Sequence, residues 1–408
     1  MDRLVHDEPA LFQLWEWHLH QVHLKRAGVL IAINLVQGRS GLKGWFTAKR
    51  EPIFIVCALL LWQAVTACSP APTPTPIPTP TQVAQTPAAT LPAPTQVGTT
   101  VVVPTPAPTL TLSANAEQEL VNIRAAAREA QGGFLFYLDS PARTDNPQVL
   151  KVSENQSFQG VVLAGNYGVK EHDFALLCIV DYSEVPCRRE ADGGFQFHLA
   201  SGEETRLGVN LALDPGTHDL VFLTFYDPNN HSTEQSLRQD SRFLFSFYRV
   251  QIQVGEQTTR PQPPIAYKFS AKSEFQPGAG LFTISRDKFT DPSQPAWHRQ
   301  EINPGAPLNF FAVYTNPEQV TRTVALMAFL DFKQVPWDSS RTTYFAELAA
   351  SARADVEAQV SAPTTVGDHE LVVVAVDNPF LDLAGEVNAD QPRSFFANSS
   401  DRVLIAVH

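Results

Sequence analysis

From Phe134 onward, short apolar runs alternate with polar residues in a pattern typical of β-strands. Phe195, Phe197 and Leu199 are separated by polar neighbours, and residues 207–213 repeat the alternation after a turn. Because successive side chains of a strand point to opposite faces, these stretches predict strands with one buried face. Residues 220–225 (LVFLTF) are apolar almost throughout, which indicates a central strand buried on both faces. The pattern therefore favours an all-β fold.

One helix is predicted before the strands, over residues 115–131. Asn115 and Gln118 have the spacing of a reciprocal N-cap pair. A Gly-Gly pair after residue 131 predicts the end of the helix. The apolar positions that recur on one helical face are Leu120, Ile123 and Ala127. We expect this helix to lead into the first folded domain.

The most informative feature is an internal repeat. Residues 159–186 align without a gap with residues 309–336, at an offset of 150. Further on, each copy has a Gly-x-His turn, an apolar strand and then an aspartate, which aligns Asp227 with Asp377. Both copies close on an Arg-Val pair and an apolar strand. The turn residues that both copies share are Asp181 and Asp331, Pro186 and Pro336, and His218 and His369.

The order of these motifs resembles that of the bacterial cell-adhesion-related Ig-like domain, CARDB. In that pattern an Asn in an early loop, here Asn166 and Asn316, precedes a strand that ends in an Asp-containing turn. An alternating pair of strands follows, and then the Gly-x-His turn. The resemblance covers about half of the chain. It implies an immunoglobulin-like fold and says little about function, since such sandwiches host many roles.

The repeat and the composition together predict two tandem immunoglobulin-like antiparallel β-sandwiches after a disordered spacer and a short helix. Three prolines mark a linker between the two sandwiches. The predicted segments are an N-terminal extension with a signal peptide (1–67), a modified cysteine with a Pro/Thr-rich spacer (68–112), the helix and first sandwich (113–254), the linker (255–264) and the second sandwich (265–408).

The N-terminal region is predicted to contain an export signal. Two basic residues, Lys49 and Arg50, precede an apolar run over residues 53–67. This run is short for a membrane span, which needs about 20 residues, and suits the core of a secretory signal. Its end, Val-Thr-Ala67-Cys68, resembles the lipobox of bacterial lipoproteins. The resemblance implies lipid attachment to the Cys68 sulfur and cleavage between Ala67 and Cys68. The alternative is an ordinary cleaved signal with an unrelated cysteine.

Residues 69–112 fit a spacer behind a lipid anchor. They are almost entirely Pro, Thr, Ala and Val and contain no charged residue. Such a composition favours extended polyproline II structure, and 44 residues would reach on the order of 100 Å. We therefore expect an extracytoplasmic protein at the cell surface, anchored to the membrane through lipid.

Residues 1–48 fit this scheme poorly, because a lipoprotein signal normally begins just before its basic residues. A start at a non-AUG codon, at Val36 or Leu42, would remove the difficulty. On that interpretation the histidine-rich stretch at residues 15–23 is translated upstream sequence. Its histidines are given no role in metal binding.

Charge and motifs restrict the function classes. The net charge is −12, and the chain beyond Cys68 has 23 Lys and Arg against 37 Asp and Glu. An acidic surface repels phosphate backbones, so no nucleic-acid partner is expected. The sequence has no GxSxG, HExxH, Walker or GxGxxG motif. We therefore expect no enzyme activity, no cofactor and no metal; an enzyme whose site lacks a recognisable motif is the less favoured alternative.

Several residues invite a closer interpretation. Cys178 and Cys187 face each other if their strands pair about residues 182–183, as a disulfide or as two buried thiols. His218 and His369 occupy equivalent turns, where an imidazole bonded to backbone is the expected role. Asp181 and Asp331 are expected to close a hairpin through Asx-type bonds.

Two long polar loops, residues 227–241 and 377–392, are the predicted contact surface for any ligand. The second loop is interpreted as solvated and acidic, with weak Ca²⁺ binding as the alternative. Its acidic residues are Asp377, Asp382, Glu386 and Asp390. The predicted function is non-enzymatic binding, adhesion or scaffolding, with envelope polymer, a cell-surface glycan or a protein as partner. The alternative is an accessory or solute-binding subunit of an envelope complex, which a cleft lined with aromatic residues between the domains would favour.

Overall fold

In a computed structural model of the chain, the described residues are 111–129, 133–189, 193–234, 245–256, 259–270, 282–288, 297–337, 341–385 and 396–408. The predicted signal peptide, Ala67, Cys68 and all but the end of the spacer lie outside these residues. Within the described ranges, no helix has the length and hydropathy that a membrane span requires.

The helix α1 (Ala114–Glu129) begins one residue before the predicted start. Ser113 caps it, because its Oγ accepts a hydrogen bond from the amide of Ala116 at 3.2 Å. The backbone amide of Ser113 is itself held by Asp139 at 2.6 Å. The predicted cap at Asn115 is therefore wrong. The predicted apolar face is confirmed, and its buried residues are Ala116, Leu120, Ile123 and Ala127.

The first half of the folded region is a sandwich of two sheets. One sheet has the order β1-β3-β7, and the other has the order β2-β9-β8-β4-β5, with β6 also paired to β4. The helix α1 packs on the outer face of the first sheet. The strands are β1 (Phe134–Asp139), β2 (Val149–Val152), β3 (Phe158–Asn166), β4 (His172–Val180), β5 (Ser183–Val185), β6 (Phe195–Leu199), β7 (Glu204–Leu211), β8 (Gly216–Tyr226) and β9 (Phe245–Val254).

The second half repeats this arrangement. One sheet has the order β11-β13-β17, and the other has the order β10-β16-β14-β18-β20-β12, with β15 paired to β14 and β19 to β18. The strands are β10 (Tyr267–Phe269), β11 (Phe282–Ser285), β12 (Arg299–Ile302), β13 (Pro307–Thr315), β14 (Arg322–Leu330), β15 (Lys333–Val335), β16 (Thr343–Leu348), β17 (Arg353–Ser361), β18 (Gly367–Asp377), β19 (Ala397–Ser399) and β20 (Val403–Val407).

The predicted fold class, two immunoglobulin-like β-sandwiches after a short helix, is confirmed. Each half has its own apolar core between its two sheets. The pairing is antiparallel except at short edge strands: β2 runs parallel to β9, β12 to β20, and β10 to β16. These edges are where a strand joins the sheet by a crossover instead of a hairpin.

The two halves pack against each other, sheet on sheet. Side chains of β8 alternate between two cores, as the twofold period of a strand requires. Leu220 and Phe222 point into the core of the first half, whereas Val221, Leu223 and Phe225 join a separate cluster that contains residues of both halves. The predicted two-sided burial of residues 220–225 is confirmed, and its second face is covered by the other half of the chain.

Strand β18 shows the same alternation from the other side. Leu371 and Val373 point into the core of the second half, whereas Val372 and Val374 join the shared cluster. The folded region therefore has four stacked sheets, with α1 on the outer face of the first. We call the contact between the two inner sheets, β2-β9-β8-β4 and β16-β14-β18-β20, the joint.

Candidate functional site

The shared Asp-containing turns are tight hairpins. Asp181 and Tyr182 connect β4 to β5 with φ angles of 48° and 68°, and Asp331 and Phe332 connect β14 to β15 with 50° and 58°. Two consecutive left-handed residues are the signature of a type I′ turn, which suits the twist of a two-residue hairpin. Asp tolerates this backbone better than most residues, which explains its place at the first position.

The carboxylate of Asp181 does not close its own turn. Its Oδ1 accepts a hydrogen bond from the amide of Asp219 at 2.9 Å, and its Oδ2 lies 2.6 Å from Nδ1 of His218. Both partners belong to the neighbouring strand β8. The expected Asx-type bond is therefore replaced by a bridge between strands, and the same bridge joins Asp331 to His369 at 2.7 Å.

Both histidines use both ring nitrogens. Nε2 of His218 lies 2.8 Å from the carbonyl oxygen of Asp214, and Nε2 of His369 lies 2.9 Å from that of Thr365. Because carboxylate and carbonyl oxygens only accept, the imidazolium form satisfies all of these contacts. The bond to Asp181 raises the pKa of His218 above its usual value, although burial opposes the shift. These histidines fasten turns of the fold.

Substitution of His218 by Gln should destabilise the protein by about 1.5 kcal/mol at pH 5–6, the typical value for a bond to a charged group. Since the folded-state pKa is raised, this stabilisation is complete below the unfolded value of about 6.5 and is lost as pH rises through the folded value. Urea unfolding of both proteins from pH 5 to 9 measures the difference. A difference that stays constant over this range would contradict the assignment.

Of the two alternatives for the cysteines, the structure contains the disulfide, Cys178–Cys187, with a Cα–Cα distance of 5.3 Å. The hairpin pairs about Asp181 and Tyr182, so Cys178 lies opposite Val185. The expected pairing about residues 182–183 is therefore off by one residue, and Cys187 reaches its partner from just beyond β5. The disulfide is buried in the first core, and Trp337, the equivalent of Cys187, is buried in the second core.

Pro186 and Pro336 follow β5 and β15 directly, and both are exposed. A proline has no amide hydrogen to continue a ladder, so these short strands end there. The role of the two prolines is therefore to end the hairpin strands.

The joint contains a buried polar cluster centred on Asp219. Its Oδ2 accepts hydrogen bonds from the Tyr182 hydroxyl at 2.6 Å, from Arg249 at 2.6 Å and from the amide of Phe380 at 2.8 Å. Burial raises the pKa of Tyr182 well above its usual value, so its hydroxyl stays a donor. Since Phe380 belongs to the second half, this one carboxylate oxygen ties the halves together.

Arg249 extends the cluster across the joint. Its guanidinium donates to the carbonyl oxygens of Asp377 and Asn378, each at 3.0 Å. The side chains of Arg249 and Asp219 are 1% and 3% exposed, so this ion pair is shielded from solvent. Burial of a charge is costly unless the charge is paired. Here the two terminal nitrogens of the guanidinium are matched by one carboxylate and two carbonyls, whereas its buried Nε has no hydrogen-bond partner among the described residues.

The contacts across the joint are reciprocal. Arg402, the equivalent of Arg249, donates to the carbonyl oxygens of Tyr226 and Asp227 in the first half, at 2.6 and 3.3 Å. Glu184 and Gln334 exchange backbone-to-side-chain bonds of 2.6 and 2.5 Å. When residue i of one copy binds j of the other and j binds i, the two copies are related by an approximate twofold axis. The joint thus has the form of a symmetric dimer interface within one chain.

The aligned aspartates Asp227 and Asp377 are not structural equivalents. Gly216 and Gly367 begin β8 and β18 with the same φ of 141°, and the offset from there is 151. Asp227 therefore corresponds to Asn378, and these two share left-handed φ angles of 47° and 45°. The predicted equivalence is wrong by one residue, because the second copy gains a residue between β15 and β18.

Asp377 is a buried residue at the end of β18, and the prediction of a solvated acidic loop is wrong for it. It forms an ion pair with Arg322 at 3.0 Å and accepts a hydrogen bond from the Tyr314 hydroxyl. Asp382 is bound by Arg260 at 2.6 Å. Glu386 and Asp390, the other acidic residues of the weak Ca²⁺ alternative, lie outside the described residues. Arginine partners compete with a cation for these carboxylates.

The described part of the second loop lies on the first half. The amide of Leu383 donates to Gln251 at 3.1 Å, and Asn146 donates to the carbonyl oxygen of Leu383 at 2.9 Å. The Phe380 ring packs edge-on against Tyr182, with ring centroids 5.0 Å apart. Residues 377–385 therefore belong to the joint. In the first loop, by contrast, Asn229 and Asn230 are exposed.

Among the residues that the structure describes, no group of three or more His, Cys, Asp or Glu side chains could hold a metal ion. The roles of Asp219, Arg249 and Arg402 in the joint were not predicted from the sequence. One signal could have identified them: Arg249 and Arg402 occupy the same place in both copies, directly before an apolar strand. A charge repeated at a strand position indicates a buried partner.

No family model matches the chain, and no curated protein matches it. Among solved structures, red sea bream transglutaminase is 11% identical, covers 72% of this chain and 34% of its own, and has a TM-score of 0.20. Native alpha-2-macroglobulin of E. coli is 11% identical and has a TM-score of 0.21; the match covers 67% of this chain and 17% of the macroglobulin. CBD12 from CALX1.2 is 11% identical and has a TM-score of 0.18; the match covers 66% of this chain and 98% of CBD12. The chain thus spans about a third of the transglutaminase and a sixth of the macroglobulin.

Proposed function

We infer that this chain is a lipid-anchored, non-enzymatic surface protein that presents a rigid double sandwich for binding or scaffolding. The observation that carries the inference is the filled joint. Phe225, Phe329 and Phe332 occupy the place between the halves where a solute-binding protein would have its cleft. Close packing there gives one stiff body, because interiors at crystal-like density do not open without large cost.

The polar groups support the same inference. His218 and His369 are bonded on both ring nitrogens by the fold itself, and Asp219 is occupied by three donors. A catalytic base must be a proton acceptor that the substrate can reach. The residues with the most suggestive sequence signals are instead used to hold turns and the joint, which favours a scaffold over an enzyme.

The anchor completes the proposal. The Pro/Thr-rich residues 69–112 would hold the double sandwich away from the membrane, with Cys68 as the attachment point. Two or more acyl chains anchor a protein stably, whereas a single chain binds only marginally. The partner is then a component that the protein meets at the surface: envelope polymer, a glycan or another protein.

Substitution of Cys68 by Ser should abolish fatty-acid incorporation and release the protein from the membrane fraction. Metabolic labelling with a tagged fatty acid, followed by gel fluorescence, measures the first effect. Cys57→Ser is the matched control, because Cys57 lies in the apolar run and should not be modified. Labelling that persists in Cys68→Ser would refute the anchor.

Crosslinking on intact cells tests the scaffold role with the same pair of strains. A specific crosslinked product should form with Cys57→Ser and be reduced with Cys68→Ser, which is no longer held at the surface. Should the purified protein instead retain a small solute through dialysis, the accessory or solute-binding alternative is favoured.

A further inference from the structure

The outer edge of β16 in the second half is covered by the short parallel strand β10. The register places Tyr267, Lys268 and Phe269 opposite Ala346, Glu347 and Leu348. The amide of Ala266 donates to the carbonyl oxygen of Phe345 at 2.9 Å, and the amide of Ala349 donates to that of Phe269 at 2.9 Å. Residues 345, 347 and 349 therefore direct their backbone groups away from β14 and toward β10.

Side chains reinforce this strand addition. Lys268 forms an ion pair with Glu347 at 3.1 Å, and the Tyr267 ring stacks on Tyr344 with centroids 5.2 Å apart. The added strand thus has an aromatic–basic–aromatic pattern, with the basic residue opposite a carboxylate.

Strand β6 is the equivalent of β16 in the first half. Leu199 lies opposite His172 of β4 just as Leu348 lies opposite Arg322 of β14. This register makes His198 the equivalent of Glu347. Among the described residues β6 pairs only with β4, so the edge that β10 covers in one half is open in the other.

The open edge has the chemistry for a similar strand. Nδ1 of His198 lies 2.9 Å from Asp173, and its Nε2 lies 3.9 Å from Glu171. The carboxylate of Glu203 binds the amide of Ala200 at the end of the edge. Asp173, Glu171 and Glu203 all act electrostatically on the imidazole of His198, so three carboxylates leave a net negative charge where Glu347 stands in the second half. Phe197 is partly buried and stacks on Phe174, which leaves apolar surface beside these charges.

We propose that the β6 edge is a docking site for an extended segment of a partner protein, which adds as a parallel strand with a basic residue opposite His198 and apolar or aromatic residues on either side. The second half supplies the template for this geometry as far as His198; beyond it, the amide of Ala200, the equivalent of Ala349, is already bonded to Glu203. The carboxylates supply the charge that selects the basic residue. Backbone bonds at a sheet edge give affinity, and alternate side chains give specificity. The proposal deepens the scaffold function by naming its partner class.

The probe is a labelled peptide with the sequence of residues 262–270, which contains the Tyr-Lys-Phe pattern of β10. Fluorescence anisotropy with the purified full chain measures its binding. In the chain, His198→Pro removes the outward amide of β6, and a proline is tolerated at a strand edge because no internal ladder bond is lost. We expect at least tenfold weaker binding to His198→Pro and less than threefold weaker binding to the matched control His198→Ala.

A second arm leaves the protein unchanged. A peptide with Lys268→Glu should bind wild type at least tenfold more weakly, because it opposes the carboxylates. Equal binding of both peptides, or equal binding of the Tyr-Lys-Phe peptide to His198→Pro and wild type, would overturn the proposal. So would a dimer of the chain that His198→Pro abolishes, which would make a second copy the occupant. Because no arm uses the membrane, failure here leaves the Cys68 labelling result to judge the anchor separately.

Discussion

Truncation of Phe225 to Ala in the first half should destabilise the second half, with a loss of about 3–5 kcal/mol in the free energy of unfolding. The Phe225 ring is fully buried. Its centroid lies 5.0 Å from that of the Phe332 ring and 5.8 Å from that of the Phe329 ring, both in the second half. Its removal leaves a cavity in the joint that sheets fixed by their own cores cannot close. Both halves lose packing from a single substitution.

Tryptophan fluorescence isolates the effect. In the chain from residue 69 onward the tryptophans are Trp297 and Trp337, and both lie in the core of the second half. Their fluorescence follows the unfolding of the second half in urea. If a substitution in the first half shifts the midpoint of that transition, the two halves are coupled through the joint. Val121→Ala is the control, because this apolar residue is 56% exposed on α1 and its truncation should leave the midpoint unchanged. An unchanged midpoint for Phe225→Ala would mean that the halves unfold independently.

The fold could be predicted from the sequence because its signals are local. Alternation with period two identified β6 and β7, and continuous apolar character identified β8 as buried on both faces. What covers the second face of β8 could not be predicted. An apolar strand face specifies burial but not its partner, and here the partner strands lie about 100–150 residues further along the chain.

Smaller misses have equally specific causes. Asn115 resembled a cap, but Ser113 is the residue whose amide and hydroxyl are both held by Asp139. Asp377 and Asp227 align as identical residues that follow an apolar strand, although the offset between the two copies has by then changed from 150 to 151. A tertiary contact decided the first case, and a one-residue insertion decided the second. Neither leaves a trace in local composition.

Substitution of Asp219 by Ala should be among the most damaging single changes, with a loss of about 3–5 kcal/mol in urea unfolding. It leaves the Arg249 guanidinium buried without its counter-charge, and it deprives Tyr182 and the Phe380 amide of their acceptor. By comparison, Glu301→Ala should change stability by at most about 1 kcal/mol, because its pair with Arg299 is exposed to solvent.

The double variant Asp219→Ala/Arg249→Met separates the cost of an unpaired charge from the value of the pair. Removing both charges leaves an apolar side chain of similar length in an apolar joint, and such replacements are often neutral or stabilising. We therefore expect the double variant to recover most of the stability that Asp219→Ala loses. A double variant as unstable as the single one would show that the loss comes from bonds other than the ion pair. These are the bonds of Tyr182 and the Phe380 amide to Asp219, and those of Arg249 to the carbonyls of Asp377 and Asn378. If the arginine bonds are the important ones, Arg402 should prove equally sensitive from the opposite side.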